Sequence, residues 1–398
     1  MRHLSVLLLA ACATGDAATA LNTATIDTLP NGVVQVTNPG PTMWADTTGW
    51  QLVEELVIAP EEGSPGEIGD IGGLAADDAG HVFVMQRSPV TIKMYGPDGE
   101  WIRDIGREGS GPGEFQNGML AVHGDTVIVQ DPNNSRMTLL RTDGSFVAAH
   151  PSQCCFFWST FPIFEGGLAA IIGPPPPSDS AQRSAAYYLT RMDGTVADTI
   201  IVAFGEPEAG RTWMVTMKRG NNTSMMGMNI PLQPQETFAF FRDPVEVGGT
   251  TSSYRLVVRR LGGDTLRTFT APAGTVQITP AQRDSIFAAQ MERMDESWRT
   301  AFAEVAKASD IPTTWPAWSD VATDQTGHVW VGRPGAKGAV TTLDVFTRDG
   351  VLLGSVNAPH PRILDGVWTR DRVYVRDESD DGLPVVRVYR IQRDGTSR

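Results

Sequence analysis

Five oxygen-bearing side chains, Asp70, Asn117, Asn229, Asp320 and Asp365, stand near the starts of short apolar runs. Carboxylate and amide oxygens are the ligands a hard cation such as calcium takes, so five of them drawn round one axis would make a metal centre for a hydrolase or lyase. Asp and Asn also cap turns at such places, and the five differ in register by a residue or two, which would scatter them. The six histidines give no zinc pattern. His81 and His328 lead into apolar strands, His123 takes a turn position, and His150 and His360 precede prolines at strand ends, so no three share a position. No nucleophile, base and orienting residue can be assembled. Gly106, Gly109, Gly111 and Gly113 make no phosphate loop, because no Lys-Ser/Thr follows them and the next element is a strand.

The elements that must position these residues repeat. Val57 to Ile68 realigns without a gap on Asp104 to Phe115, and each copy leads to an apolar run ending in Val-x-Val, at Val82 to Val84 and at Val127 to Val129. A third Val-x-Val, Val329 to Val331, follows an Asp-x-x-Gly turn at Asp324 to Gly327. Tight turns close strand pairs at Asp98-Gly99, Asp143-Gly144, Asp193-Gly194, Gly263-Asp264, Asp349-Gly350 and Asp394-Gly395. A strand follows five of the six. The last is followed only by Thr396, Ser397 and Arg398, so its partner must come from the other end of the chain, at Trp50 to Val57. The spacing predicts an all-β chain: a six-bladed β-propeller of four-stranded antiparallel blades, from about residue 45 to 398, closed by pairing of its N- and C-terminal strands.

Gly106 to Phe115, Val127 to Arg136 and Asp143-Gly144 together resemble one NHL repeat, and the whole chain is similar to exported bacterial six-bladed propeller proteins related to NHL proteins. That resemblance implies a fold rather than an activity. Peptidylamidoglycolate lyase, a six-bladed relative, carries zinc-binding histidines just before its inner strands; the matching positions here, Gly72, Gly118, Ser319 and Asp365, hold none. The calcium-dependent lactonases of the propeller world use oxygen ligands comparable to the five above, which keeps calcium as a cofactor candidate while none is required. In NHL blades, turns like Asp131 to Arg136 are packing devices, so Asp131 is expected to accept backbone N–H groups and Arg136 to lie along the next blade. Arg107, Glu108 and Glu114 are expected to close their loop.

The remaining segments concern address and partners. Arg2 and His3 precede the apolar Leu4 to Ala11, which reads as an export signal over residues 1–20. Leu9-Ala10-Ala11-Cys12 resembles a lipobox that would lipidate Cys12, whereas Ala18-Thr19-Ala20 suits ordinary secretion; residues 21–44 read as a flexible tether. The expected location is the bacterial cell envelope, lipid-anchored or periplasmic, with contact to membrane only through the anchor. A formal net charge of -14 argues against nucleic acid and anionic lipid as partners. Adjacent Cys154 and Cys155 either form a strained vicinal disulfide or stay as two thiols beside Phe156, Phe157 and Trp158.

Segments 174–184, 205–228, 243–253 and 279–310 read as insertions, all on one face of the ring. The last predicts one helix, with Thr279 as N-cap and Gln282 completing a capping box. Phe287, Met291, Met294, Trp298, Phe302 and Val305 would form an apolar stripe sealing that helix onto the propeller. The functional expectation is an exported scaffold that binds a protein, peptide or small molecule on this face, with a calcium-assisted hydrolase or lyase at the channel mouth as the alternative.

Overall fold

A computed structural model describes residues 24–40, 42, 44, 49–152, 161–173, 175–176, 184–203, 212–219, 222–335 and 340–393. Six blades, each built on four antiparallel strands, follow one another in the chain. Blade 1 contains Ile71–Ala76, Val82–Arg87, Val90–Tyr95 and Trp101–Ile105. Blade 2 contains Met119–His123, Thr126–Asp131, Arg136–Arg141 and Phe146–Pro151; blade 3 contains Ile163–Phe164, Leu168–Gly173, Ser184–Thr190 and Val196–Ala203. Blade 4 contains Glu236–Phe240, Val245–Thr250, Arg255–Arg260 and Thr265–Thr270, and blade 5 contains Val321–Thr323, Val329–Pro334, Val340–Phe346 and Leu352–Asn357. Blade 6 takes Val367–Trp368, Arg372–Glu378 and Pro384–Gln392 from the end of the chain and Gln51–Ile58 from its beginning.

That last pairing is the closure. Gln51 lies opposite Gln392 and Ile58 opposite Val386, antiparallel throughout. The local chemistry of the blades repeats as well. In blades 1 to 5 the third and fourth strands slip register by a residue beside their connecting turn, as between Met94 and Tyr95 and between Leu139 and Leu140. In blade 2 that turn places Gly144 at φ +92°, a conformation Gly adopts without strain. Asp394-Gly395 lies outside the described residues.

Period-2 alternation builds the core between blades. Val82 and Val84 meet Tyr374, Val386 and Val388 of blade 6, whereas Phe83 and Met85 meet Leu120, Val127 and Val129 of blade 2. All of these are buried. Each such side chain withdraws roughly 1.5–3 kcal/mol of apolar surface from water, so the ring is held at every seam rather than at one centre.

Four expectations change. The stretch read as a flexible tether contributes two strands from residue 25 onward, Thr25–Thr28 and Val34–Thr37, the second lying parallel to Thr265–Thr270 and widening blade 4 to six strands. Buried Asn38 fixes it there: its Nδ2 donates to the Thr270 and Gly350 carbonyls, both at 2.9 Å, and its Oδ1 accepts from Leu352 N at 2.8 Å. The segment 243–253 is no insertion, since Val245–Thr250 is the second strand of blade 4.

Residues 205–228 include a long hairpin, Thr212–Arg219 paired with Asn222–Asn229. Residues 279–310 contain two helices, α1 (Pro280–Glu292) and α2 (Glu296–Ala303), rather than one. The expected capping box at Thr279 and Gln282 is present. The break comes at Asp295, whose extended backbone lets its carboxylate cap Ser297 N and Trp298 N, both at 3.1 Å. Arg299 then donates to the carbonyls of Met291, Glu292 and Met294 at the C-terminal end of α1 and just beyond it.

Candidate binding site at the insertion face

The strand directions put two different chemistries at the two ends of the channel. First strands begin at the insertion face and end at the face of short turns, so Asp70, Asn117, Asp320 and Asp365 lie at the insertion-face mouth. Second strands run the other way and bring their C-terminal halves, with Arg87 and Arg376, toward the same mouth.

The helices and hairpin stand over this face as one packed unit. Trp213, Val215, Met228 and Ile230 form a buried cluster with Met291, Phe302, Ala306 and Ile311, and Phe287, Met294 and Trp298 pack against it. The apolar stripe therefore seals the helices onto the hairpin rather than onto a blade, while Val305 is left 42% exposed. Trp213 Nε1 also donates to Asp310 Oδ2 at 2.8 Å. The hairpin turns methionines outward: Met214 is 51% exposed and Met225 70%. Beneath the unit lies a cavity of about 410 Å³ bordered by Thr212, Asn229, Gln235, Thr251, Gln290 and Ser319.

Each of the five oxygen-bearing residues has a hydrogen-bond or ion-pair partner of its own, and Asp320 and Asp365 lie near enough for their charges to interact. Arg87 Nη1 donates to both oxygens of Asp70, at 3.0 and 3.2 Å. Asn117 Oδ1 accepts from the neighbouring Gly118 N at 2.8 Å, and Asn229 Oδ1 accepts from Thr212 Oγ1 at 3.3 Å. Asp365 pairs with Arg362 at 3.3 Å. Asp320 accepts from Thr237 Oγ1, and from Val321 N at 2.8 Å. Burial pushes the Asp320 carboxyl above the usual range against those two bonds, and the nearby charge of Asp365 adds to the rise. No group of three or more His, Cys, Asp or Glu side chains among the described residues could hold a metal. The donor set at this mouth thus consists of two carboxylates paired with arginines, one carboxylate that burial raises, and two amide oxygens that each accept a hydrogen bond.

The repeated loops are closure devices. Glu67 Oε2 accepts from Gly63 N at 2.8 Å, and its repeat equivalent Glu114 accepts from Gly111 N at 2.7 Å while pairing with Arg107 at 2.8 Å. The Gly111 bond, followed by the Arg107 bond, holds the half-buried Glu114 carboxyl below its ordinary range. Buried Asp131 accepts from Gln116 N, Asn133 N and Asn134 N at 2.9–3.2 Å. Arg136 does not lie along the next blade. It reaches back to the carbonyls of Ser110, Gly111 and Glu114 and clamps the loop preceding its own blade. Cys12, Cys154 and Cys155 fall outside the described residues.

Two features went unseen in the sequence. One is a larger cavity of about 700 Å³ along the axis, open toward the short turns and bordered by residues of all six blades, including Leu120, Phe238, Val321 and Asp78. The other is a set of guanidinium groups where blades 6 and 1 meet, Arg87, Arg362 and Arg376. The usable signal for Arg376 was positional: it follows Val-x-Val in blade 6, where the equivalent residues are Met85, Gln130 and Gly332.

The ring defines the class of the molecule, a six-bladed β-propeller carrying a helix and hairpin unit on one face. No protein-family profile and no curated protein matches the sequence. Solved structures of similar fold include an exported-protein candidate of Bacteroides fragilis, at 10% identity and a TM-score of 0.47, covering 90% of this chain and 100% of that one. A duf4221-family member of Bacteroides vulgatus is similar at 11% identity and a TM-score of 0.44, covering 87% and 100%. The PQQ-bound aldose sugar dehydrogenase of Streptomyces coelicolor is similar at 11% and 0.40, covering 86% and 98%. At such values these are likenesses of fold and bear on no residue of the site.

Proposed function

We propose that this chain is an exported binding propeller that engages a protein, peptide or small-molecule ligand on its insertion face. The observation that carries the reading is the packed helix and hairpin unit, which stands on that face and turns Met214 and Met225 into solvent. Methionine is unbranched and polarizable, and it adapts to irregular partners, so a hairpin presenting it outward suits recognition. Binding is favoured over catalysis because, among the described residues, the mouth brings no nucleophile and base into contact. Export would place the protein in the cell envelope, with Cys12 as its lipid anchor; Cys12→Ser should then release it from the membrane fraction.

The reading is tested by placing a photo-crosslinking amino acid at position 225 or, as control, at position 78 on the short-turn face, and irradiating cells that export the protein. A discrete product from 225 that disappears with Met214→Asp, and is absent from 78, supports it. Products formed only from 78 would reassign binding to the axial cavity.

A further inference from the structure

We propose that Arg376 is the primary contact of an oxyanion-binding site at the insertion-face mouth, with Arg87 and Arg362 flanking it, and that the ligand presents a carboxylate or phosphate group there. The proposal deepens the reading of this face as the binding face by naming the chemistry one part of it selects.

Three observations place the site. Alternation along Arg372–Glu378 puts Arg376 on the same side as Tyr374, which packs with Ile58, Val82 and Val84, so Arg376 faces blade 1. Arg87 is drawn toward the mouth by Asp70 and lies across the first strand of blade 1; a Cβ at Gly72 would sit 3.0 Å from Arg87 Cγ and 3.4 Å from its Nε. Arg362 stands beside the first strand of blade 6, held by Asp365.

Arg376 differs from other partly buried arginines of the ring in its lack of a partner. Arg333 pairs with Asp344, Arg372 with Glu55 at 2.8 Å, and Arg387 with Asp377 and Glu54. Arg376 makes no hydrogen bond and no ion pair among the described residues, although it is half-buried. A guanidinium carries five N–H donors in a fixed fork, and those of Arg376 are not among the buried unpartnered atoms of the described residues, so they face solvent with no protein acceptor and are open to a ligand's oxygens. Burial, and next the charges of Arg362 and Arg87, lower its basicity, while Asp365 opposes them. An oxyanion supplies what the site lacks, two acceptor oxygens in the geometry of the fork and a negative charge among three positive ones.

The chain as a whole is acidic, at -14, and would repel anions at long range. At physiological salt that field is screened beyond about 8 Å, so the groups lining the mouth decide whether an anion stays. Two of the three arginines keep their own carboxylates, so the site would hold one oxyanion group and discriminate against polyanions such as nucleic acid.

The experiment titrates the full-length protein with acetate and, separately, with inorganic phosphate by calorimetry, at ionic strength held constant with chloride. The expected result is saturable binding of one or both that weakens at least about tenfold in Arg376→Met, about 1.4 kcal/mol. Preference for acetate assigns a carboxylate ligand, and preference for phosphate a phosphorylated one. Arg376→Lys guards against a folding defect. It keeps the charge and loses the fork, and should weaken acetate more than phosphate. No binding of either anion to the parent protein, or binding unchanged in both variants, would overturn the proposal. Crosslinking from position 225 does not involve Arg376, so failure of the anion site leaves the hairpin reading standing, and the reverse also holds.

Discussion

Asp320 and Asp324 bracket the three-residue strand Val321–Thr323, one at each mouth of the channel, and their carboxyls are driven in opposite directions. Burial acts first on both and raises both. At Asp320 it prevails, with two accepted hydrogen bonds set against it and Asp365 adding to it. At Asp324, only 3% exposed, the hydrogen bonds from His328 and Thr326 together with the His328 charge outweigh burial and bring the carboxyl below its ordinary value. Trp330 Nε1 and Arg393 also donate to Asp324, both at 3.1 Å.

The pair therefore predicts opposite pH behaviour. A raised folded-state value means that Asp320 binds its proton more tightly in the folded protein; its ionisation costs stability above that value, and the cost disappears as pH falls to the unfolded value. Asp320→Asn keeps an acceptor for Thr237 and Val321 and should raise the melting temperature at neutral pH, with no gain in acid. Asp324 contributes stability above its unfolded value that is lost as pH falls through the lower folded one. Asp324→Asn should cost about 1–3 kcal/mol at neutral pH, the price of a disrupted buried network, and less in acid. Melting curves of both variants across pH check the signs.

Closure gives a second prediction. Removing residues 50–57 takes away the outer strand of blade 6, including buried Leu52, and leaves Pro384–Gln392 as an open edge. Each buried apolar side chain lost there represents about 1.5–3 kcal/mol, and the bare edge invites pairing between molecules. The truncated chain should melt well below the parent and aggregate, as read by calorimetry and light scattering.

The helix and hairpin unit should respond as a body separate from the blades. Phe302 is fully buried between α2 and the hairpin, so Phe302→Ala should cost about 3–5 kcal/mol within the unit. Hydrogen exchange should quicken over 212–219, 222–229 and 280–303 while the strands of blades 1 and 2 keep their protection. Uniform loss across the ring would show that the unit is part of one cooperative core.

Calcium separates the two function classes. With Asp70 and Asp365 paired to arginines and the Asp320 carboxyl raised by burial, calcium chloride should shift melting no more than sodium chloride of equal ionic strength. A calcium-specific gain approaching the roughly 2.7 kcal/mol that mass action gives at one hundred times the dissociation constant would restore the oxygen-ligand site.

The period of the repeats, the Asp-Gly turns and the alternation of Val-x-Val by themselves determined the blades and the closure of the ring. These are local properties, since a two-residue period and a tight turn state their geometry within a few residues. The apolar stripe from Phe287 to Phe302 was legible as a buried face in the same way, but its partner was not, because a stripe specifies that it must be covered and not by what. Only the tertiary structure chose the hairpin. It also decided the fate of residues 25–38, whose strands are short and whose buried clamp, Asn38, looks like any loop asparagine until Thr270, Gly350 and Leu352 surround it. The mouth shows the same division. Asp70, Asp320 and Asp365 were visible as candidates, but their partners were not, and the charge of Arg87 reaches Arg376 only because closure joins the first blade to the last. Charges act through space, and the ring alone brings those two ends of the chain within reach of each other.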